Sequence, residues 1–146
     1  MGAALLQHAL RAEAEPLRSL RVGSAGVATR GGEPASQNAI TALKKVGVDL
    51  QGHTSRRITQ EMLDQAALVL CMTESHRDMI ELSANPVPER LYLFREFAGD
   101  PLSREVPDPY GMHLSAYEAC RDELVDAIPS IVSFLRTLQG DPPPRA

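Results

Sequence analysis

Two residues in the middle of the chain have the spacing of a reactive phosphate-binding loop. Cys71 precedes Arg77 by six positions within LVLCMTESHRD, residues 68–78. Such a loop surrounds a phosphate dianion with backbone N–H groups and keeps a thiolate ionised, so it is normally rich in glycine and free of carboxylates. Here the intervening residues include Glu74 and no glycine. We therefore expect Cys71 to be a small core residue that ends a buried strand, and Thr73 to cap the helix that follows.

A carboxylate between two prolines is the second candidate for chemistry. Asp108 lies in Val106-Pro-Asp-Pro-Tyr-Gly111, and Tyr110 stands beside it. Because proline restricts the backbone, this carboxylate can be presented at a fixed place. The same pattern is also typical of an ordinary turn. On local pattern alone, both interpretations stay open.

Composition and charge exclude several classes of protein. The chain has 146 residues, of which 43% are hydrophobic, and this size fits one globular domain with one core. The net charge of −4 gives no sign of a nucleic-acid-binding surface. We find neither a membrane-spanning stretch nor an export signal, so we expect a cytoplasmic protein. The two cysteines, Cys71 and Cys120, have no partners at ligand spacing, so no metal site and no disulfide framework are expected.

The spacing of the apolar residues predicts the helices that would position these side chains. The first begins at the first residue and stops before Pro16, the second follows Pro34 within ASQNAITALKKVG, and Thr59 caps a short third helix. A fourth runs to about Ser83. The last begins at a capping box, Ser115 to Glu118, and has a kink predicted at Pro129. Its apolar residues recur at helical spacing, namely Tyr117, Cys120, Leu124, Ile128, Ile131, Leu135 and Leu138.

Three strands alternate with these helices, at residues 19–24, 67–72 and 90–94. A long loop, residues 95–114, follows the third strand and is of the kind that usually carries function. Strands separated by helices predict an α/β fold of three layers, α/β/α, around a small parallel sheet whose ligands bind at the carboxyl ends of the strands. The domain is predicted to span residues 1–139, and residues 140–146 are expected to form a disordered tail.

The chain as a whole resembles the low-molecular-weight protein-tyrosine phosphatases, a family that also includes bacterial protein-arginine phosphatases. Each matching segment is short, but together they occur in family order and spacing over about residues 1–138. The segments are Val22-Gly-Ser-Ala-Gly26, Gly47-Val-Asp-Leu50, His53-Thr-Ser-Arg56, Ile58-Thr-Gln-Glu61, Ala67-Leu-Val-Leu-Cys-Met-Thr73 with His76, Phe94-Arg-Glu-Phe97, and Pro107-Asp-Pro-Tyr-Gly111 with Tyr117.

The resemblance implies roles for four residues. Asp108 would be the general acid that protonates the leaving oxygen of a phosphate ester and later takes a proton from water. Tyr110 would flank the aromatic ring of the substrate. Ser24 and His53 match positions whose side chains support the phosphate loop, although a serine at a strand end and a histidine in a loop are also ordinary features. The resemblance implies no metal and no cofactor.

One part of the family pattern is missing from this sequence. In the family a first strand, a Cys-x5-Arg-Ser loop and a proline precede a helix spelled much like Met1 to Leu6. The nucleophilic cysteine and the phosphate-gripping arginine are therefore not in the chain, and we expect no phosphatase turnover from it as given. The family sheet order is 2-1-3-4, so the absent strand is central. Its loss would expose strand edges, and we expect these to favour a homodimer. A start codon assigned to an internal Met, or a truncated chain, would explain the gap.

Three functions remain open. The first is an N-terminally truncated phosphatase whose complete form acts on a protein carrying phosphotyrosine or phosphoarginine. The second is a pseudophosphatase that serves as a binding or scaffold module and uses the Asp108 loop for recognition. The third, a thioredoxin-coupled arsenate reductase, needs a closely spaced cysteine pair, and Cys71 and Cys120 are not spaced in that way.

Overall fold

The computed structural model describes residues 1–27 and 31–138. Over these residues the chain forms five α-helices, a 3-10 turn at Leu17–Ser19 and two strands. In chain order the elements are α1 (Gly2–Arg11), α2 (Gln37–Lys44), α3 (Gln60–Gln65), β1 (Val69–Cys71), α4 (Glu74–Ser83), β2 (Leu91–Leu93) and α5 (Leu114–Leu138). The predicted tail at 140–146 lies outside the described residues.

Side-chain caps explain where three of the helices begin. The hydroxyl oxygens of Thr59 and Thr73 accept hydrogen bonds from the N–H groups of Met62 (3.2 Å) and His76 (3.3 Å), and so begin α3 and α4 as predicted. Ser36 caps α2 in the same way. The predicted capping box is displaced, because α5 begins at Leu114, one residue before Ser115.

The two strands form a parallel sheet with Leu70 paired to Tyr92. The Val69 N–H donates to the Arg90 carbonyl (2.9 Å), and the Cys71 carbonyl accepts from the Phe94 N–H (2.8 Å). Since alternate residues of a strand bond to opposite neighbours, the N–H and C=O of Leu70 point away from β2. No described residue pairs with this side of β1, which is called the outer edge below.

Helices cover both faces of the sheet, which confirms the three-layer α/β/α arrangement. On one face a large core joins residues of α1, α2 and α5, among them Leu10, Leu43 and Ile131. On the other face, α3 and α4 pack Leu63 and Ile80 against Cys71 and Leu93. α5 contacts both α1 and α2, so it holds the larger core together.

The strand predicted at residues 19–24 is wrong. Residue 19 belongs to the 3-10 turn, and residues 20–25 have no regular structure. A strand exists only through hydrogen bonds to a neighbour, and here the side chain of Gln7 takes the neighbour's place. Its Nε2 donates to the Leu20 carbonyl (3.0 Å), and its Oε1 accepts from the Val22 N–H (2.9 Å). The segment is therefore held by α1 and does not join the sheet.

Candidate active site

The loop between β2 and α5 carries Asp108 to the carboxyl end of the sheet. The Val106 N–H donates to the carbonyl of Met72 (2.8 Å), the residue that follows β1, and the Val106 side chain is buried. Asp108 is exposed, and its Oδ1 accepts a hydrogen bond from the Tyr110 N–H (3.0 Å) in an Asx turn. The carboxylate is thus fixed close to the sheet while it remains open to a ligand.

The Tyr110 side chain is 79% exposed and stands beside this carboxylate. Pro109 is buried beneath it, and the Met112 carbonyl accepts a hydrogen bond from Asn38 Nδ2 of α2 (3.2 Å). The turn is therefore anchored by the buried Pro109 and by the hydrogen bond from α2. An exposed aromatic ring on a held turn can form one wall of a substrate site.

Asp108 and His53 are both within electrostatic reach of the Met1 amino group. Burial lowers the pKa of this amino group, and the nearby Asp108 carboxylate opposes that change. Burial also lowers the pKa of His53 below 6.5, aided by the positive charges of the Met1 amino group and Arg56. The Met1 amino group, at the start of α1, is therefore near both the Asp108 turn and the His53 loop, which places these two predicted site residues in one region.

Ser24 and His53 share an open cavity of about 670 Å³ that does not include Asp108 or Tyr110. Its other walls are formed by α1 and by residues 47–49. Arg56, to which the sequence prediction gave no role, reaches into the same space, and its Nε donates to the Ser24 carbonyl (2.9 Å). A Cβ atom on Gly23 would lie 2.5 Å from Arg56 Nη2, so a larger residue there would require the Arg56 guanidinium to shift.

Cys71 and Arg77 do not form a phosphate site, as predicted. Cys71 is buried, and burial raises the pKa of its thiol to about 11. Arg77 Nη1 is 3.0 Å from Glu96 Oε1, and its Nη2 is 3.7 Å from Glu74 Oε1. A protonated thiol is a poor nucleophile, and a guanidinium already paired with two carboxylates is not free to grip a phosphate.

Two other features are absent from the described residues. Over residues 1–27 and 31–138, no group of three or more His, Cys, Asp or Glu side chains is arranged to hold a metal ion. Within the same ranges, no helix has both the length and the apolar character needed to cross a membrane.

Known proteins are similar to most of this chain in sequence and in fold. A family model described as "Low molecular weight phosphotyrosine protein phosphatase" matches residues 1–141. A protein-arginine-phosphatase of Geobacillus stearothermophilus is 32% identical over 139 residues, which cover 95% of this chain and 88% of the relative. The low molecular weight protein-tyrosine-phosphatase Etp of Escherichia coli is 32% identical over 102 residues, 70% of this chain and 67% of the relative.

A solved structure agrees with these matches. The low molecular weight protein tyrosine phosphatase from T. tengcongensis superposes with a TM-score of 0.80 at 30% identity, and the match covers 90% of this chain and 86% of that one. The match of the family model to nearly the whole sequence decides the assignment. This chain belongs to the low molecular weight phosphotyrosine protein phosphatase family.

Proposed function

We propose that this chain supplies the general acid–base residue of a protein phosphatase active site, and that this residue is Asp108. The observation that carries the proposal is the placement of Asp108. Its turn is held at the carboxyl end of the sheet, within electrostatic reach of the same amino group as His53. Tyr110 is proposed to flank the substrate, and Ser24 and His53 to support the phosphate loop. No metal or cofactor is needed for this chemistry.

Two proton transfers define the role of Asp108. In the first step a thiolate attacks phosphorus, the bond between phosphorus and the leaving group breaks, and the Asp108 carboxyl protonates the departing atom. In the second step water attacks phosphorus, the sulfur–phosphorus bond breaks, and the Asp108 carboxylate takes the proton from the water. The exposed position of Asp108 allows both the leaving group and the water to reach it.

The thiolate of this mechanism has no counterpart in the 146 residues. The one Cys-x5-Arg spacing is that of Cys71 and Arg77. Cys71 is buried, and Arg77 is paired with Glu96 and Glu74. We propose that the active form of the protein has the family's first strand and Cys-x5-Arg-Ser-Pro loop joined directly before Met1. The alternative, a pseudophosphatase that uses the Asp108 turn for recognition, is favoured by the same absence.

A fusion experiment separates these two proposals. The strand and phosphate loop of a family member are placed before Met1, and hydrolysis of p-nitrophenyl phosphate is followed for the fusion and for the 146-residue chain. We expect a kcat of about 1 s⁻¹ or more for the fusion, within the usual range for enzymes, and only background hydrolysis for the chain alone.

Two cysteine substitutions in the fusion serve as controls. Replacing the cysteine of the added loop with serine should abolish turnover by the fusion, whereas Cys71→Ser should leave it unchanged. A folded fusion without turnover would contradict the phosphatase proposal and support the binding module. Brisk hydrolysis by the unmodified chain, lost in Cys71→Ser, would overturn both.

The substrate proposed is a phosphorylated protein in the cytoplasm, with phosphotyrosine or phosphoarginine at the reacting position. The relatives named above are a protein-arginine-phosphatase and a protein-tyrosine-phosphatase. The exposed ring of Tyr110 favours stacking on a phosphotyrosine side chain. Initial rates of the fusion on matched phosphotyrosine and phosphoarginine peptides would decide between the two substrates.

We also propose that the 146-residue chain forms a homodimer through the outer edge of β1. The N–H and C=O of Leu70 point to this edge, and an unpaired edge is a template for pairing with another strand. Sedimentation velocity should show a concentration-dependent dimer of the chain. The fusion should be a monomer, because its added strand covers the edge. A chain that stays monomeric at high concentration would contradict this proposal.

A further inference from the structure

Arg95 is the one buried charged side chain among the described residues, with 7% of its surface exposed. Its guanidinium donates three hydrogen bonds. Nε donates to the Ser103 carbonyl (2.9 Å), Nη1 to the Glu123 carbonyl (2.6 Å) and Nη2 to Asp126 Oδ2 (3.3 Å). One side chain just after β2 therefore joins the long loop to the middle of α5.

Burying this guanidinium costs free energy that its charge partner recovers only in part. The Asp126 side chain is 68% exposed, so water screens its attraction to Arg95. The hydrogen bonds to the Ser103 and Glu123 carbonyls constrain the geometry more strongly than the ion pair does. The planar guanidinium donates in fixed directions, and it bonds to two chain segments at once. This arrangement is better suited to defining geometry than to adding net stability.

The loop is fixed at three further points close to Ser103. Glu105 Oε2 accepts a hydrogen bond from the Glu74 N–H (2.7 Å) at the start of α4. The Val106 N–H bonds to the carbonyl of Met72, and the Val106 side chain is buried. Asp108 follows two residues later, which is a reach of at most about 7 Å. Its place is thus set by contacts with α5, α4 and the end of β1.

We propose that Arg95 is a positioning residue for Asp108. It acts through residues 103–106 and touches no reacting atom. The proposal rests on the role of Asp108 as general acid, stated above, but its first test does not depend on turnover. Without the guanidinium, the Ser103 and Glu123 carbonyls lose their shared donor, and the loop separates from α5 while the sheet contacts of β1 and β2 remain.

Amide hydrogen exchange on the 146-residue chain tests this separation. Arg95→Lys keeps the charge but cannot donate to both carbonyls in the same geometry, and Arg95→Met removes the charge. We expect the Val106 and Tyr110 amides to exchange at least about tenfold faster in both variants, relative to the Cys71 amide in the sheet. Arg136→Met is the matched control, because it removes an arginine of α5 whose ion pair with Glu13 lies away from the loop, and it should leave the ratio unchanged.

A ratio that stays constant while all amides exchange faster would show a role in stability alone and would overturn the proposal. The second readout uses the fusion described above. If Arg95 acts through Asp108, Arg95→Lys lowers kcat with little change in KM, and the loss disappears when Asp108 is already asparagine. Independent, multiplying effects of the two substitutions would contradict the proposal. A lack of effect from the asparagine change alone would instead remove the general-acid role and leave the exchange result standing.

Discussion

Asp108→Asn in the fusion carrying the phosphate loop is expected to lower kcat by about 10²- to 10⁴-fold, the usual contribution of a general acid. Asparagine keeps the size of the side chain, and its oxygen can still accept the Tyr110 N–H that closes the turn. It cannot supply or take a proton. The loss should therefore fall on kcat, while the affinity for a product-like anion such as phosphate changes little.

The choice of substrate sharpens this test. p-Nitrophenolate leaves readily without a proton, whereas an unactivated phenolate depends on protonation in the transition state. The defect of Asp108→Asn should therefore be larger on phenyl phosphate or a phosphotyrosine peptide than on p-nitrophenyl phosphate.

Asp100 provides a matched control in the same loop. Its Oδ1 accepts the Leu102 N–H (2.9 Å), which is the same type of turn that Asp108 makes with Tyr110. Asp100→Asn should leave kcat within about twofold of the parent, since surface changes away from such sites are usually small. Equal losses in the two variants would show that the fall in kcat comes from disturbing the loop and not from losing the carboxyl group of Asp108.

Features fixed by neighbouring residues could be predicted from the sequence. Thr59 and Thr73 were identified as caps because the bond from an N-cap to the third helical N–H is local. Cys71 was predicted to be buried because it ends an apolar run, and it lies in the core beside Leu93. The apolar residues predicted for α5 line the larger core, and they are joined there by Ala127 and Val132.

Features that depend on distant partners could not be predicted in this way. The segment at 19–24 alternates like a strand, but strand formation requires a neighbour, and the side chain of Gln7 satisfies it instead. Arg95 stands in the quoted motif Phe94-Arg-Glu-Phe97, yet its burial follows from carbonyls at positions 103 and 123. The shared cavity of Ser24 and His53 fits the resemblance to the family, whereas the contact of Arg56 with Ser24 gave no local signal.

Ile131→Ala is expected to lower the free energy of unfolding by about 2–5 kcal/mol, the range for large aliphatic side chains truncated in a core. Ile131 has no exposed surface, and it lies in the core that α5 forms with α1 and α2. The cavity left by the lost atoms would lie where three helices meet, so the surrounding chain can relax only in part.

Val125→Ala is the matched control, because Val125 lies on the same helix with 43% of its surface exposed. Its cost should stay below about 1 kcal/mol, since little apolar surface is removed from a packed environment. Urea unfolding followed by circular dichroism gives both values, provided that the slope with urea concentration is unchanged. Similar losses in the two variants would contradict the expectation that the buried face of α5 contributes more to stability than its exposed face. A large loss in Ile131→Ala alone would show that the buried face of α5 makes a major contribution to the stability of the domain.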